Sequence, residues 1–464
     1  MSFWDNILFN LPEVSGPQQR KLSFKEKLKW TGIALVLFFV LGMIPLFGLG
    51  ENSLQQFEFL SLILGAEFGS IISLGIGPLV TASIVMQLLV GSGIMKIDLN
   101  THDGKKRFQG LQKLAAIFFI IFESAIYIFM GGLAPANELA GTALFFQLEC
   151  ILVFQLFLGG ILIMFMDEVV SKWGFGSGIS LFIAAGVSKT IFVRALSPLP
   201  SPTMPSISTG AIPALFQSLS AGDPQTAMIM IAALVATIVV FVVAVYAQSM
   251  KIEIPLSFGR VRGHGIRWPL SFIYTSNIPV ILTAALIANV QLWARLLQNW
   301  GHPLLGTFSG NSPQSGLVFW LYSPDIVRNI ITGSLSWTHI GQASVYLFFM
   351  IVGAVVFSVF WVQTAGMDAK AQAKKMIASG LQIPGFRKDE RVLETLLNRY
   401  IWPLTVMGGI AVGLMASLAD LTGALSSGTG ILLTVMIVYK LYEEIAKEHM
   451  MDMYPMMRKM MGQE

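Results

Sequence analysis

The chain has 464 residues, of which 54% are hydrophobic and only 12% charged. A soluble domain usually carries about 25% charged residues, so a soluble chain of this length could not cover its surface. The composition excludes an ordinary globular enzyme, a disordered protein and a disulfide scaffold, and points to an integral membrane protein with many spans. The formal net charge is +4, and where that excess sits matters more than its size. A single cysteine, Cys150, excludes an intramolecular disulfide and a Cys-rich metal centre. His102, His264, His302, His339 and His449 form no i, i+4 pair, so no His-based metal site is expected. There is no GxxxxGK[ST] phosphate loop, and no cofactor is expected.

Long apolar runs with few charges are candidate spans. Ten are read in chain order: Trp30–Phe47, Ile71–Leu89, Leu114–Leu133, Leu144–Met166, Gly178–Val193, Ala227–Gln248, Pro269–Trp293, Val345–Val362, Trp402–Leu418 and Leu425–Tyr439. Arg20, Lys21, Lys25, Lys27 and Lys29 precede the first run. Met43-Ile44-Pro45-Leu46-Phe47 offers no small-residue cleavage site, so a retained span is expected there. Between the first two spans lies the apolar segment Phe57–Phe68. As a helix it would reach only about 18 Å, short of a hydrocarbon core of about 30 Å. It is expected to re-enter from the outside as a half-helix, enclosed by protein or a water-filled cavity. The alternative is an interfacial helix on the outer leaflet. Glu123 falls in the middle of the third span. A carboxylate there costs about 2.5–3.5 kcal/mol on insertion scales, so it should face protein or water. A helix–helix polar contact is the simpler reading. Such groups are scarce, which argues against an ion pump.

Lysines and arginines set the sidedness. The N-terminal tail, alternate loops and the C-terminal tail hold 26 of the 30, leaving Lys189, Arg194, Arg295 and Arg328 opposite. Both termini are therefore expected in the cytoplasm, as an even number of spans requires. The segment Ser197–Pro224, rich in Pro, Ser and Thr, separates spans 1–5 from spans 6–10. Five is odd, so two halves of like fold would form an inverted repeat. Gly77-Pro78-Leu79-Val80 in span 2 matches Ile278-Pro279-Val280-Ile281 in span 7, and Gly176-Ser177-Gly178-Ile179 in span 5 matches Gly428-Thr429-Gly430-Ile431 in span 10. These are the pairs such a repeat superposes.

The loop between spans 8 and 9 is long and basic. A helix carrying Lys370, Lys374 and Lys375 should stop at Gly380, a turn should follow at Ile383-Pro384-Gly385, and a second helix should run from Arg391 to Asn398. The loop between spans 6 and 7 adds Arg260, Arg262 and Arg267 among glycines. One basic cytoplasmic surface results, suited to anionic lipid or nucleic-acid phosphate. Plain positive-inside retention is the alternative.

Three blocks closely resemble the SecY family, the central subunit of protein-conducting translocons. They are Leu74-Gly75-Ile76-Gly77-Pro78-Leu79-Val80-Thr81 through Gln87-Leu88-Leu89, Tyr274-Thr275-Ser276-Asn277-Ile278-Pro279-Val280-Ile281, and Ile383-Pro384-Gly385-Phe386-Arg387 through Gly428-Thr429-Gly430-Ile431 to Tyr442-Glu443-Glu444. Their wording is archaeal rather than bacterial. The resemblance implies an all-α polytopic membrane protein: ten transmembrane helices in two inverted five-helix halves, with a re-entrant plug half-helix. It divides the chain into a cytoplasmic segment 1–29, a first half 30–196, an external hinge 197–224, a second half 225–446 and a cytoplasmic tail 447–464. The plug lies at about 57–68, and the docking loops at about 249–268 and 363–400.

By motif position the resemblance implies a pore ring of Val80, Ile84, Ile179, Ile183, Ile281 and Leu433. A narrow apolar constriction dewets and blocks ions, yet gives a sliding chain nothing specific to hold. It implies a plug containing Phe57, Phe59, Leu60, Leu62, Ile63, Leu64, Glu67 and Phe68, and a lateral-gate polar cluster of Thr81, Glu123 and Asn277. Ribosome docking is implied for Arg260, Arg262, Arg387 and Lys388. The implied function is a passive gated channel, without enzymatic activity, in the cell membrane. It would secrete signal-sequence-bearing polypeptides and release membrane proteins laterally into lipid. Implied partners are SecE (the γ subunit), a small β subunit, the ribosome, nascent chains with their signal sequences and, indirectly, the signal recognition particle. The SecA motor is not expected in an archaeal-type system. A secondary transporter also uses inverted repeats and broken helices, but needs coordinating polar groups where this repeat centre supplies Val, Ile and Leu. An intramembrane enzyme lacks a Ser/His, paired Asp or HExxH constellation within the spans.

Overall fold

The computed structural model describes residues 11–18, 22–52, 66–91, 93–95, 97, 101–200, 207–258, 265–275, 277–309, 312–378, 381–382 and 389–453. Of the expected plug, Phe57, Phe59, Leu60, Leu62, Ile63 and Leu64 lie outside these residues, as do Arg260, Arg262, Arg387 and Lys388.

The first half holds α1 (Phe24–Gly42), β1 (Glu51–Asn52), α2 (Gly77–Gly91), α3 (His102–Phe129), β2 (Leu133–Ala134), α4 (Ala143–Trp173) and α5 (Gly178–Leu196). The connection carries α6 (Ala211–Ala221). The second half holds α7 (Pro224–Ser249), β3 (Lys251–Phe258), β4 (Gly265–Ser271), α8 (Ile278–Asn299), β5 (Phe308–Ser309), β6 (Ser312–Pro313), α9 (Gly316–Trp320), α10 (Ile326–Ile331), α11 (Trp337–Thr364), α12 (Ala369–Ala378), β7 (Leu381–Gln382), α13 (Glu390–Leu421) and α14 (Gly428–Met453).

Each predicted span overlaps a helix. Among the described residues, seven helical segments are long and apolar enough to cross a membrane, and they comprise α3, α4, α5, α7, α8, α11 with its extension, and α13. The expected spans 1, 2 and 10 fall on α1, α2 and α14. α2 has only 15 residues, and α1 opens with Lys25, Glu26, Lys27 and Lys29. Polar caps fix the starts. Ser23 and Glu26 form a capping box on α1. Thr101, Thr142 and Asp389 accept first-turn amides of α3, α4 and α13.

Several boundaries differ from expectation. Span 7 was expected from Pro269, but Gly265–Ser271 is instead β4, paired antiparallel with β3. β3 also pairs with β7 through Ser257↔Gln382 and Phe258↔Leu381. One three-stranded sheet thus joins the two loops that were expected to share a surface. The expected helix Arg391–Asn398 runs unbroken into span 9 as α13. A separate small core supports this end: Leu270, Tyr274, Val362, Met376, Leu393 and Leu397 pack together, and the Tyr274 hydroxyl donates to the Met367 carbonyl at 2.8 Å.

Span 2 was expected from Ile71, but Ile71–Ile76 is a run of turns and the helix starts at Gly77. Gly75 sits there at φ +55°, a conformation that favours glycine. Ser73, Leu74 and Ile76 are fully buried. Irregular backbone at membrane depth must be enclosed by protein, and here it is.

The basic ends cluster. Lys113 of α3 pairs with Glu168 of α4, Lys172 of α4 with Glu13 of the tail, and Lys251 of β3 with Glu443 of α14. The tail crosses the end of α4 as a strap: Val14 N–H donates to Glu168 Oε2 at 2.8 Å and Trp173 Nε1 to the Ser15 carbonyl at 2.9 Å. These contacts gather the N-terminal tail, the 2/3 and 4/5 loops, the 6/7 loop and α14's far end at one face. Lys189 pairs with Glu67 elsewhere, beside the expected plug.

Candidate functional site

A cavity of about 660 Å³ lies between the two halves, walled by α2, α3, α5, α8, α11 and α14. Lys105, Lys440 and Glu444 sit at its rim, on the ends of α3 and α14 that bear the basic residues. Gln87, Gln109 and Gln112 line its side, and Val80, Ile179 and Ile281 reach it from three different helices. Polar groups therefore give way to branched apolar ones along its walls.

The other residues expected in the ring do not line the cavity. Ile84, Ile183 and Leu433 are buried in the core that Val80 and Ile281 also join. Ile183 and Leu433 are each about 1% exposed. Ile183 lies one turn along α5 from Ile179. Leu433 lies one turn along α14 from Ile437, which lines the cavity. On α2 the cavity face carries Val80, Ser83 and Gln87. Ile84 lies one turn along α2 from Val80, about 40° round the helix axis. The Val80 amide donates to the Ile76 carbonyl at 3.0 Å, which closes the first turn of α2.

Of the expected polar cluster, Thr81 and Glu123 meet. Thr81 Oγ1 lies 3.1 Å from Glu123 Oε1 and 2.9 Å from the Gly77 carbonyl. The side chain that completes the group is Asn289 of α8, whose Nδ2 donates to Thr81 Oγ1 at 3.0 Å. Asn277 lies twelve residues earlier on the same chain segment, at the start of α8, and lines the cavity. One hydrogen-bonded group thus links α2 and α3 of the first half to α8 of the second. Glu123 is about 3% exposed, so the carboxyl meets the protein contact that its depth demands. Sequence reading missed Asn289; its signal was an amide two residues before Gln291 in an otherwise apolar stretch of α8.

Glu67 and Phe68, at the described edge of the expected plug, lie in a turn rather than a helix. The Glu67 carbonyl accepts from Ser70 Oγ at 2.7 Å and Ser73 Oγ at 3.2 Å. Among the described residues no cluster of three or more His, Cys, Asp or Glu could hold a metal ion.

This architecture defines a membrane-embedded helical protein whose two halves enclose a cavity lined by charged, amide and branched apolar side chains. Residues 70–442 match the SecY family and residues 36–69 match the family described as the plug domain of Sec61p. The chain is 47% identical to the protein translocase subunit SecY of Methanothermobacter thermautotrophicus, covering 97% of each chain. It is 44% identical to the corresponding subunit of Pyrococcus furiosus, again over 97% of each. It superposes on the solved structure of a protein conducting channel with a TM-score of 0.82 at 42% identity, covering 97% of this chain and 98% of the other. Against Sec61 in the canine ribosome-channel complex the TM-score is 0.79 at 40% identity, with coverage of 97% and 98%. The chain belongs to the SecY family.

Proposed function

We propose that this chain is the central pore-forming subunit of a protein translocase. It is a passive gated channel that carries signal-sequence-bearing polypeptides across the cell membrane and releases membrane helices sideways into lipid. The cavity between the halves carries this reading: its charged rim admits a hydrated chain, and its apolar end seals against ions. Val80, Ile179 and Ile281 form the near side of the seal, with Ile84, Ile183 and Leu433 beyond them. The hydrogen-bonded group of Thr81, Glu123 and Asn289 supports a lateral gate at which α2 and α3 part from α8, with Asn277 at its cavity side.

Ten spans place both termini in the cytoplasm, in two inverted halves at 30–196 and 225–446. The segment 57–68 is the plug. The sheet of β3, β4 and β7 carries the ribosome-docking loops, with Arg260, Arg262, Arg387 and Lys388 as phosphate contacts. Arg387→Glu is expected to weaken docking in a salt-dependent way, and equal affinity at low salt would remove that role. SecE and a small β subunit complete the complex, and the signal recognition particle delivers its clients.

The test is reconstitution of the assembled channel in vesicles with a docked ribosome and a precursor. The precursor should become protease-protected only when it carries its signal sequence. Protection without the signal, or none with it, would contradict a signal-gated channel.

A further inference from the structure

α5 and α14 begin in the same unusual way. Helix starts leave amides unpaired, and a nearby carboxylate is a favoured partner for them. The residue before α5, Ser177, makes no side-chain cap of its own. Asp167 of the preceding helix α4 supplies it: Oδ1 accepts the Ile179 amide at 2.9 Å. The start of α14 is held likewise by Asp420 of its preceding helix, α13, whose Oδ1 accepts the Thr429 amide at 2.7 Å. Asp420 Oδ2 also accepts from the Thr429 hydroxyl, and from the Tyr346 hydroxyl of α11 at 2.6 Å.

The glycines beneath confirm how close these joints are. A Cβ on Gly178 would lie 2.6 Å from Asp167 Cα, and one on Gly428 would lie 2.0 Å from the Ala419 carbonyl carbon. Each helix therefore starts in backbone contact with the one before it. Each then carries apolar residues of the seal: Ile179 and Ile183 on α5, Leu433 on α14. A helix displaced by one turn moves its side chains by about 5.4 Å, which would open a seal made of single side chains.

We propose that Asp167 and Asp420 are positioning residues that set the height and rotation of α5 and α14, and so hold the apolar seal shut. The inference rests on the pore-ring reading above. It assigns the two halves one shared device, working from opposite faces of the membrane. Asp167 also lines the cavity, and both carboxylates act on the seal through the helices they cap.

The test uses the assembled channel in vesicles and reads ion leak, with Ile281→Asn as a separate probe of the ring. Asp167→Leu and Asp420→Leu are expected to raise resting leak about fivefold, the population shift that loss of one helix cap supports. Asp167→Asn and Asp420→Asn keep an acceptor oxygen and should restore a tight channel. A second reading uses Cys150→Ser carrying Ile179→Cys and Ile281→Cys, with a bismaleimide crosslinker. Crosslinking should fall with Asp167→Leu and persist with Asp167→Asn. If Ile281→Asn leaks while the Leu and Asn variants at both aspartates stay equally tight, the positioning role is overturned and the ring stands. If Ile281→Asn itself stays tight, the ring reading falls and takes this inference with it. Should a Leu variant not assemble, Tyr346→Phe, which removes one contact of Asp420, is expected to raise leak measurably; an unchanged leak and an unchanged crosslink would overturn the role.

Discussion

Gly408 of α13 rests against the main chain just before α8: a Cβ there would sit 3.0 Å from the Phe272 carbonyl oxygen. The first half repeats this contact, with Gly159 of α4 facing the Ile71 carbonyl, where a Cβ would approach to 1.8 Å. Ile71 precedes Pro78 by seven residues, and Phe272 precedes Pro279 by seven. The next glycines also correspond, for Gly160 meets Ile120 of α3 and Gly409 meets Ser358 of α11. Both halves thus seat a broken segment on a paired-glycine notch, which supports the inverted repeat.

These notches leave no room for a side chain. Gly159→Ala should destabilise the protein by about 1–3 kcal/mol, the usual cost of overpacking, because backbone must move. Gly408→Ala should cost less, since its neighbour is farther away. Gly186→Ala on α5, where nothing lies within 4 Å, should be neutral. Thermal unfolding in detergent checks the order. A Gly159 variant as stable as the Gly186 variant would show that the notch is not tightly packed.

The bond from Asn289 to Thr81 crosses the interface of the halves. Asn289→Leu and Thr81→Val should each lower the signal hydrophobicity needed for translocation. The two together should add less than their sum, by a coupling of about 0.5–3 kcal/mol. A graded series of signal sequences measures that threshold. Strict additivity would mean that the two side chains do not act as one contact.

On α2, Ile84 lies one turn along from Val80 and joins the same buried core. Ile84→Asn should raise resting ion leak, because a wetted constriction conducts. An unchanged leak would take Ile84 out of the constriction.

The tail strap has a pH signature. The Lys172 ammonium, hydrogen-bonded to Glu13, holds that carboxyl below the usual carboxylate range. A depressed folded pKa gives stabilisation that is present above the unfolded value of about 4.3 and lost as pH falls through the folded one. Hydrogen exchange in residues 11–18, corrected for its intrinsic rate, should therefore speed up below about pH 4.3. Glu13→Gln should already exchange faster at neutral pH. Identical profiles for the two proteins would show that the pair does not hold the strap.

Helix positions were legible because long apolar runs carry their own signal, and each of the ten runs overlaps a helix. The failures have local causes. β4 reads as the start of span 7 because Trp268, Pro269 and Leu270 are apolar, yet its register comes from β3, which no run of hydrophobicity encodes. Ile71–Ile76 reads as helix because most of its residues are apolar, although Gly75 turns the chain. Thr81 and Glu123 could be paired from motif position, but Asn289 required the crossing of α2 and α8. The Gly-Gly pairs at 159–160 and 408–409 stood in the sequence as a repeat, and only their backbone contacts reveal what they seat.

The central claim is that a polypeptide passes between the halves through the apolar constriction. A photo-crosslinking residue at Ile281, presented with a ribosome-stalled nascent chain, tests it most directly. A crosslink to the chain that depends on an intact signal sequence is the predicted result. No crosslink, with the ribosome docked and the complex intact, would contradict a path past Ile281.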